Sequence, residues 1–254
     1  MKPRSAPGTD AVRFIRLDLS DLSSVKEAAQ EFLSSETRLD VLWHNAAIML
    51  APEGSKSKQG HELTFATNVL GPFLLQHLLT PVFIETTKKP DTSRSSVRSC
   101  WASSGESVAP PGEDGIDWDD WALEGPRYSG FEARTKRYIQ SKAANTILAA
   151  EMAVRHPEFT SCAFNPGAIR TNIARHAPGF MQRAMALFAA SPRMGALTEL
   201  YAGFAPEMGQ ANGCFVVPYG HIGKTHRCVH DGIEKRNSGE RLWNLCDALV
   251  SAFY

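Results

Sequence analysis

The sequence predicts an α/β fold in which helices wind over both faces of a parallel sheet. Three observations carry that expectation. Strand-like and helix-like segments alternate along the chain. The composition is ordinary for a globular protein, with 43% apolar and 21% charged residues in 254,. And three predicted strands end on residues suited to a ligand, namely Asn45, Ser104 and Pro166-Gly167, at the carboxyl ends where such sheets bind.

Residues 1–10 are rich in Pro, Ser and Gly and read as a flexible loop. Residues 12–17 alternate apolar and polar and predict a strand,. Ser20 is a candidate cap for the next helix, where Leu22, Val25, Ala29, Phe32 and Leu33 share a face and Ser24 with Glu27 has capping-box spacing,. Residues 40–43 predict a short strand that ends at His44-Asn45-Ala46-Ala47, and residues 49–60 a loop,. A long helix is expected from about 59 to 87, interrupted at Pro72,. A strand over 96–102 ends at Ser103-Ser104, followed by a loop over 105–130.

A helix over about 134–156 leads to a strand at 160–164, which runs into Asn165-Pro166-Gly167. Residues 179–205 read as helical with a break near Pro192, and 213–217 as a strand. The last helix carries Leu242, Leu245, Leu249, Val250 and Phe253 on one face, with Ser238 as a candidate cap,. No repeat or domain boundary is visible, so residues 1–254 read as one domain.

Lys plus Arg and Asp plus Glu both number 27. A neutral chain has no basic footprint for nucleic acid and no polybasic membrane patch, which leaves small molecules or other proteins as partners. The five cysteines are widely spaced and form no CxxC pair. That argues against a disulfide framework or zinc site and for a reducing, cytoplasmic setting. The N-terminus lacks the apolar core of a signal peptide, and the uncharged apolar stretches look too short to cross a bilayer,.

Tyr138-Ile-Gln-Ser-Lys142 is the strongest local feature. At i and i+4 on a helix the two side chains share a face. An ammonium there favours the phenolate and draws its pKa down from about 10. Such a tyrosine exchanges a proton with a carbonyl or alcohol oxygen. An exposed helical pair has the same spacing. Ser104, at a strand end, is placed to hold a substrate oxygen against Tyr138, or else belongs to a simple Ser-Ser turn.

Asn68 falls mid-helix, four residues before Pro72. Its carbonyl loses the usual N–H partner, which frees an acceptor for a water near Lys142 or marks a plain proline kink. Residues 166–171, Pro-Gly-Ala-Ile-Arg-Thr, offer backbone amides and Thr171 to an amide or phosphate, or make a strand-to-helix turn,. No histidine spacing suits a metal,. Trp118 and Trp121, with Asp117, Asp119 and Asp120, either line a substrate mouth or anchor a surface loop.

Taken together and in order, Leu17-Asp18-Leu19, Asn45-Ala46-Ala47, Asn68, Ser104, Tyr138 with Lys142, and Pro166-Gly167 resemble the short-chain dehydrogenase/reductase family. The resemblance runs from Phe14 to the C-terminal helix. Leu17-Asp-Leu-Ser-Asp-Leu22 and Tyr138-Ile-Gln-Ser-Lys-Ala-Ala-Asn145 look most like fungal members similar to retinol dehydrogenases.

The resemblance implies a Rossmann-like fold and transfer of hydride between a hydrophobic alcohol and its carbonyl compound, with NADP or NAD and a preference for NADP. It further implies a role in secondary metabolism. Tyr138 would be the general acid/base and Ser104 would orient the carbonyl. Lys142 would bind the nicotinamide ribose, and Asn68 would hold a relay water. Asp18 and Asn45 would meet the adenosine half of the cofactor, and Ile169 and Thr171 the nicotinamide amide. Ala47 stands where the family's motif has Gly, and His44 replaces the usual preceding residue. Residues 170–206, with Met181, Met185, Leu187, Phe188 and Met194, would form a lid over an apolar substrate.

One departure is large. The family opens with a strand, a Thr-Gly-x-x-x-Gly-x-Gly turn, a helix and a second strand, whereas here Gly8 is the only glycine before Gly54. The pyrophosphate-binding turn and the strand end that chooses between NAD and NADP are both missing. In the 3-2-1-4-5-6 strand order the first βαβ unit spans the middle of the sheet, and its loss leaves about 14 Å between flanking strands. The 40–43 strand is then an open edge, which favours self-association into a homo-oligomer. An alternative is a homologue without redox chemistry: a pseudoenzyme, a protein-binding module, or a cofactor-independent isomerase using Tyr138 and Lys142.

Overall fold

The computed structural model describes residues 12–105 and 110–254. The flexible loop read over residues 1–10 lies outside them. The elements run α1 (Leu22–Ser35), β1 (Val41–His44), α2 (Leu63–Phe65) continuing through a π-helical turn (Ala66–Leu70) into α3 (Gly71–Thr87), β2 (Arg98–Ala102), α4 (Gly130–Arg155), β3 (Thr160–Phe164), α5 (Gly179–Phe188), α6 (Pro192–Phe204), β4 (Phe215–Val217), β5 (His221–Gly223), α7 (Arg227–Lys235) and α8 (Ser238–Val250). The sheet order is β1-β2-β3-β4-β5. Its first four strands are parallel, and β5 returns antiparallel to β4.

Strand periodicity sorts side chains between two cores. Trp101, Ala163 and Phe215 face the larger core, built with α3, α4 and α8. Their neighbours Cys100, Ala102, Cys162, Phe164 and Val216 face the other side, with Ala202 and Met208. The first face takes the helices of the alternating units, and α6 lies across β1 to β4 on the second. Gly203 makes that approach possible, because a Cβ there would come 2.2 Å from the Trp43 ring. The Trp43 indole N–H donates to the Glu199 carbonyl at 3.0 Å.

Several expectations need correction. Residues 12–17 form no strand. Val12 and Phe14 are 73% and 88% exposed. A groove of about 830 Å³ lies between this segment and β1, lined by Phe14 and Ile15 on one side and Val41 and Trp43 on the other. Alternation permits a strand, but no ladder forms without an edge in reach. Among the described residues β1 pairs with β2 alone, so the 40–43 strand is the edge of the sheet, as expected.

Pro72 does not interrupt its helix. The Gly71 N–H reaches back five residues to the Ala66 carbonyl, and this π-turn carries the chain past proline's missing donor. The resulting helix, Leu63–Thr87, is apolar and long enough to cross a membrane by length and composition, contrary to the sequence estimate, but 67% of its apolar window is buried inside the protein. It reads as a core helix.

Asp21, not Ser20, caps α1, its carboxylate accepting the Ser23 N–H at 3.0 Å. Asn237, not Ser238, is the N-cap of α8. Ser238 instead donates from its hydroxyl to buried Asp114 at 2.6 Å. Helix α6 is a covering layer of the sheet, so only the first part of 170–206 is in a position to act as a lid. There Phe180 and Leu187 are exposed, while the side chains of Met181, Met185 and Phe188 lie outside the described set. Strand β5 and helix α7 were not foreseen.

Candidate active site

The site is built where β2 ends against α4. Positions 138, 142, 145 and 146 form one stripe of that helix. The Lys142 ammonium and the Asn145 amide both donate to the Ala102 carbonyl, at 2.9 and 3.0 Å. The Ser103 hydroxyl donates to the Lys142 carbonyl at 2.8 Å and lies 2.8 Å from the Thr146 hydroxyl. The strand end is thus tied to the helix face, and the next residue, Ser104, hydrogen-bonds the Tyr138 phenol. The two adjacent serines have different tasks: Ser103 fastens, and Ser104 meets Tyr138.

The electrostatics differ from the simple pairing rule. Burial pushes the Tyr138 phenol up to about 12, with the Ser104 hydrogen bond opposing. Burial draws the Lys142 ammonium down to about 8. Its Nζ lies 5.8 Å from the centre of the Tyr138 ring and is turned to the Ala102 carbonyl. The expected lowering of the phenol is therefore not present: desolvation of both groups outweighs the attraction between them.

Ser104, Tyr138 and Lys142 line two cavities at once. One, of about 550 Å³, also receives Asn45, Ile169 and Thr171. The other, of about 210 Å³, lies toward Pro110, Thr225 and His226. Six of the eight residues singled out from the sequence therefore meet in the larger cavity. Gly167 turns the chain there with φ of +88°, a conformation that favours glycine. The Thr171 hydroxyl accepts the Ile173 N–H at 3.3 Å and caps the short helical turn Asn172–Ala174.

Asn68 and Asp18 lie elsewhere. Asn68 is buried in the π-turn. Its side chain accepts the Ile48 N–H at 2.9 Å and donates to the Ile48 carbonyl at 3.0 Å and to the Ser141 hydroxyl at 2.9 Å. It thus fastens the loop after β1 to the Tyr138–Lys142 turn of α4. Asp18 is exposed and accepts from the Ser20 N–H at 2.9 Å and hydroxyl at 2.6 Å.

Trp118 and Trp121 pack against the main core and line neither cavity, so the anchored-loop reading holds. The Trp118 indole donates to Asp114 at 2.9 Å. Asp117 accepts the Tyr128 hydroxyl at 2.6 Å.

Sequence reasoning passed over Arg134, one turn before Tyr138. Its guanidinium donates to the carbonyls of Ala51, Leu50 and His176, which joins the loop after β1 to the segment before α5. It also passed over His226, because α7 itself was not foreseen. Arg134 acts through contacts distant in sequence, and His226 lines a cavity whose other walls are distant in sequence.

This fold and this Ser-Tyr-Lys arrangement define an oxidoreductase class, and the comparisons agree. A family model described as short chain dehydrogenase matches residues 4–90. A short-chain dehydrogenase/reductase of Armillaria gallica is 36% identical over 244 residues, covering 95% of this chain and 74% of that protein. The short-chain dehydrogenase/reductase pkfC of Emericella nidulans is 35% identical over 259 residues, covering 100% and 80%.

Among solved structures, a protein from Mycobacterium paratuberculosis matches with a TM-score of 0.59 at 26% identity, over 92% of this chain and 74% of that one. A carbonyl reductase from chicken fatty liver, solved with NADPH, shares the fold with a TM-score of 0.54 at 19% identity, over 82% and 75%. The chain belongs to the short-chain dehydrogenase/reductase family, a family of oxidoreductases.

Proposed function

We propose that the protein is an NAD(P)-dependent oxidoreductase that interconverts a hydrophobic alcohol and its carbonyl compound, with NADP preferred and a place in fungal secondary metabolism. One observation carries the reading: Ser104, Tyr138 and Lys142 stand as a common wall between a larger and a smaller cavity. A dinucleotide's reactive end and a substrate need such an arrangement, each against the same proton donor.

The residues of the larger cavity fit the nicotinamide half of the cofactor. Lys142 is buried, with three donors and, among the described residues, one bond, to Ala102. That leaves N–H groups for a ribose hydroxyl. Asn45, Ile169 and Thr171 line the same space and offer polar and apolar contacts to the ring and its amide. Asp18, on its exposed turn, belongs to the adenosine contacts. A bound nicotinamide supplies or accepts the hydride.

The chain's own residues handle the proton. In reduction the Ser104 hydroxyl orients the carbonyl oxygen, and Tyr138 gives that oxygen its phenolic proton as hydride reaches the carbon. In oxidation the phenolate takes the proton back. A phenol pushed up to about 12 by burial gives up its proton poorly, so the positive Lys142, turned from Ala102 toward the ribose, would stabilise the phenolate. Asn68 positions this turn of α4 and contributes its region to the water relay.

A fluorescence titration of the purified chain with NADPH and, separately, NADH tests the reading. Saturable micromolar binding, tighter for NADPH, followed by carbonyl-dependent NADPH oxidation that Tyr138→Phe abolishes, is the expected result. A folded chain that binds neither nucleotide would overturn it.

A further inference from the structure

The smaller cavity has a feature that the proton-transfer chemistry does not use. Its walls are apolar at Pro110, Ile139 and Val229 and polar at Thr225 and His226. His226 is the N-cap of α7, where its Nδ1 accepts the Cys228 backbone N–H at 3.3 Å and lies 3.0 Å from the Cys228 Sγ. A backbone N–H can only donate, so Nδ1 bears no proton and the neutral ring carries it on Nε2. Among the described residues that Nε2–H has no protein partner. The helix cap thus sets the tautomer and leaves a donor on a residue that shares a 210 Å³ cavity with Tyr138 and Ser104.

We propose that this cavity is the substrate subsite and that His226 is a specificity-determining residue in it, its Nε2–H donating to a second oxygen of the carbonyl substrate. The preferred substrates are then keto esters, diketones or hydroxyketones rather than simple ketones. This rests on Tyr138 and Ser104 holding the reacting oxygen. Their hydroxyls come from α4 and the end of β2, and His226 reaches the cavity from α7, so one ligand would meet both sets. A simple ketone would bury the Nε2–H without an acceptor, and sites built to hydrogen-bond a substrate oxygen discriminate against analogues that lack it.

The test uses the full chain with NADPH and two probes of similar length, ethyl acetoacetate and 2-hexanone. The expected ratio of their kcat/KM values favours the keto ester by about ten-fold or more. His226→Asn retains a good helix cap but is too short to serve both cap and ligand, and should reduce that ratio about ten-fold. His226→Gln, with a longer amide, should restore part of it. In parallel, the Nε2 resonance of His226 in 15N-histidine-labelled protein should shift with ethyl acetoacetate and not with 2-hexanone, in the wild type and in Tyr138→Phe.

A selective shift without turnover would sink the oxidoreductase reading and leave this inference standing. Turnover with the same ratio in His226→Asn would overturn the inference and leave the oxidoreductase reading intact. No shift with either probe also overturns it.

Discussion

The two strands at the first end of the sheet, β1 and β2, are paired in register and yet lie in opposite surroundings. Beyond the end of β2, residues 102 and 103 are tied to α4 through Lys142, Asn145 and Thr146. On the outer side of β1, the segment 12–17 lies across a groove, with strand-like alternation but no ladder. An exposed ion pair at 3.0 Å joins its Arg13 to Glu36 of the helix cap. The difference shows what periodicity can and cannot do. It sorts side chains between faces, but hydrogen-bond partners supplied by the rest of the molecule decide whether a segment becomes part of the sheet.

The largest expected effect lies on the tied side. Tyr138→Phe keeps the ring and removes the proton donor. Its kcat for carbonyl reduction should fall about 10³-fold, with NADPH binding retained in a fluorescence titration. Activity within ten-fold of the wild type would assign the proton transfer to another group.

Next comes the link between the two sides. Asn68→Ala removes three hydrogen bonds and leaves the half-buried Ile48 amide without its side-chain partner. Urea unfolding should show a loss of about 3 kcal/mol. A loss under 1 kcal/mol would mean that the loop after β1 does not depend on this bridge.

His44 sharpens the comparison, since it sits at the end of β1 yet faces inward to Gln76 at 3.0 Å. Burial draws its pKa down to about 4, from 6.5. The unfolded chain therefore takes up the proton first as the pH falls. This stability is present above 6.5 and is lost between about 6.5 and 4, amounting to about 2 kcal/mol at pH 5. Urea midpoints at pH 7 and pH 5 measure it, and His44→Gln should flatten that part of the profile. The smallest effect belongs to the open side: Arg13→Ala breaks an exposed pair and should change unfolding by less than about 0.5 kcal/mol.

Much of the candidate site was legible because its parts are local. Tyr138 and Lys142 need only a helix, and Ser104, Asn45 and Gly167 need only strand ends. For Asn68 the sequence gives the right neighbourhood and part of the reason: Pro72 perturbs its helix, but through a π-turn, and the side chain is a bridge. Arg134 was illegible because its partners Leu50, Ala51 and His176 lie far along the chain, and His226 because the cavity it lines is assembled from segments distant in sequence. The pairing of Tyr138 with Lys142 likewise suggested a lowered phenol, and burial reversed its sign.

By itself the sequence determined the parallel α/β class, the order of its main elements, the family and the residues of the wall shared by the two cavities. Each depends on short-range pattern: alternation, helical spacing, glycine and proline at strand ends. Tertiary structure alone decided that residues 12–17 stay outside the sheet, that α6 covers its second face, that two cavities share one wall, and which protons are held tightly there. Those outcomes turn on burial and on partners brought together by the whole fold, and neither is written in any one stretch of chain.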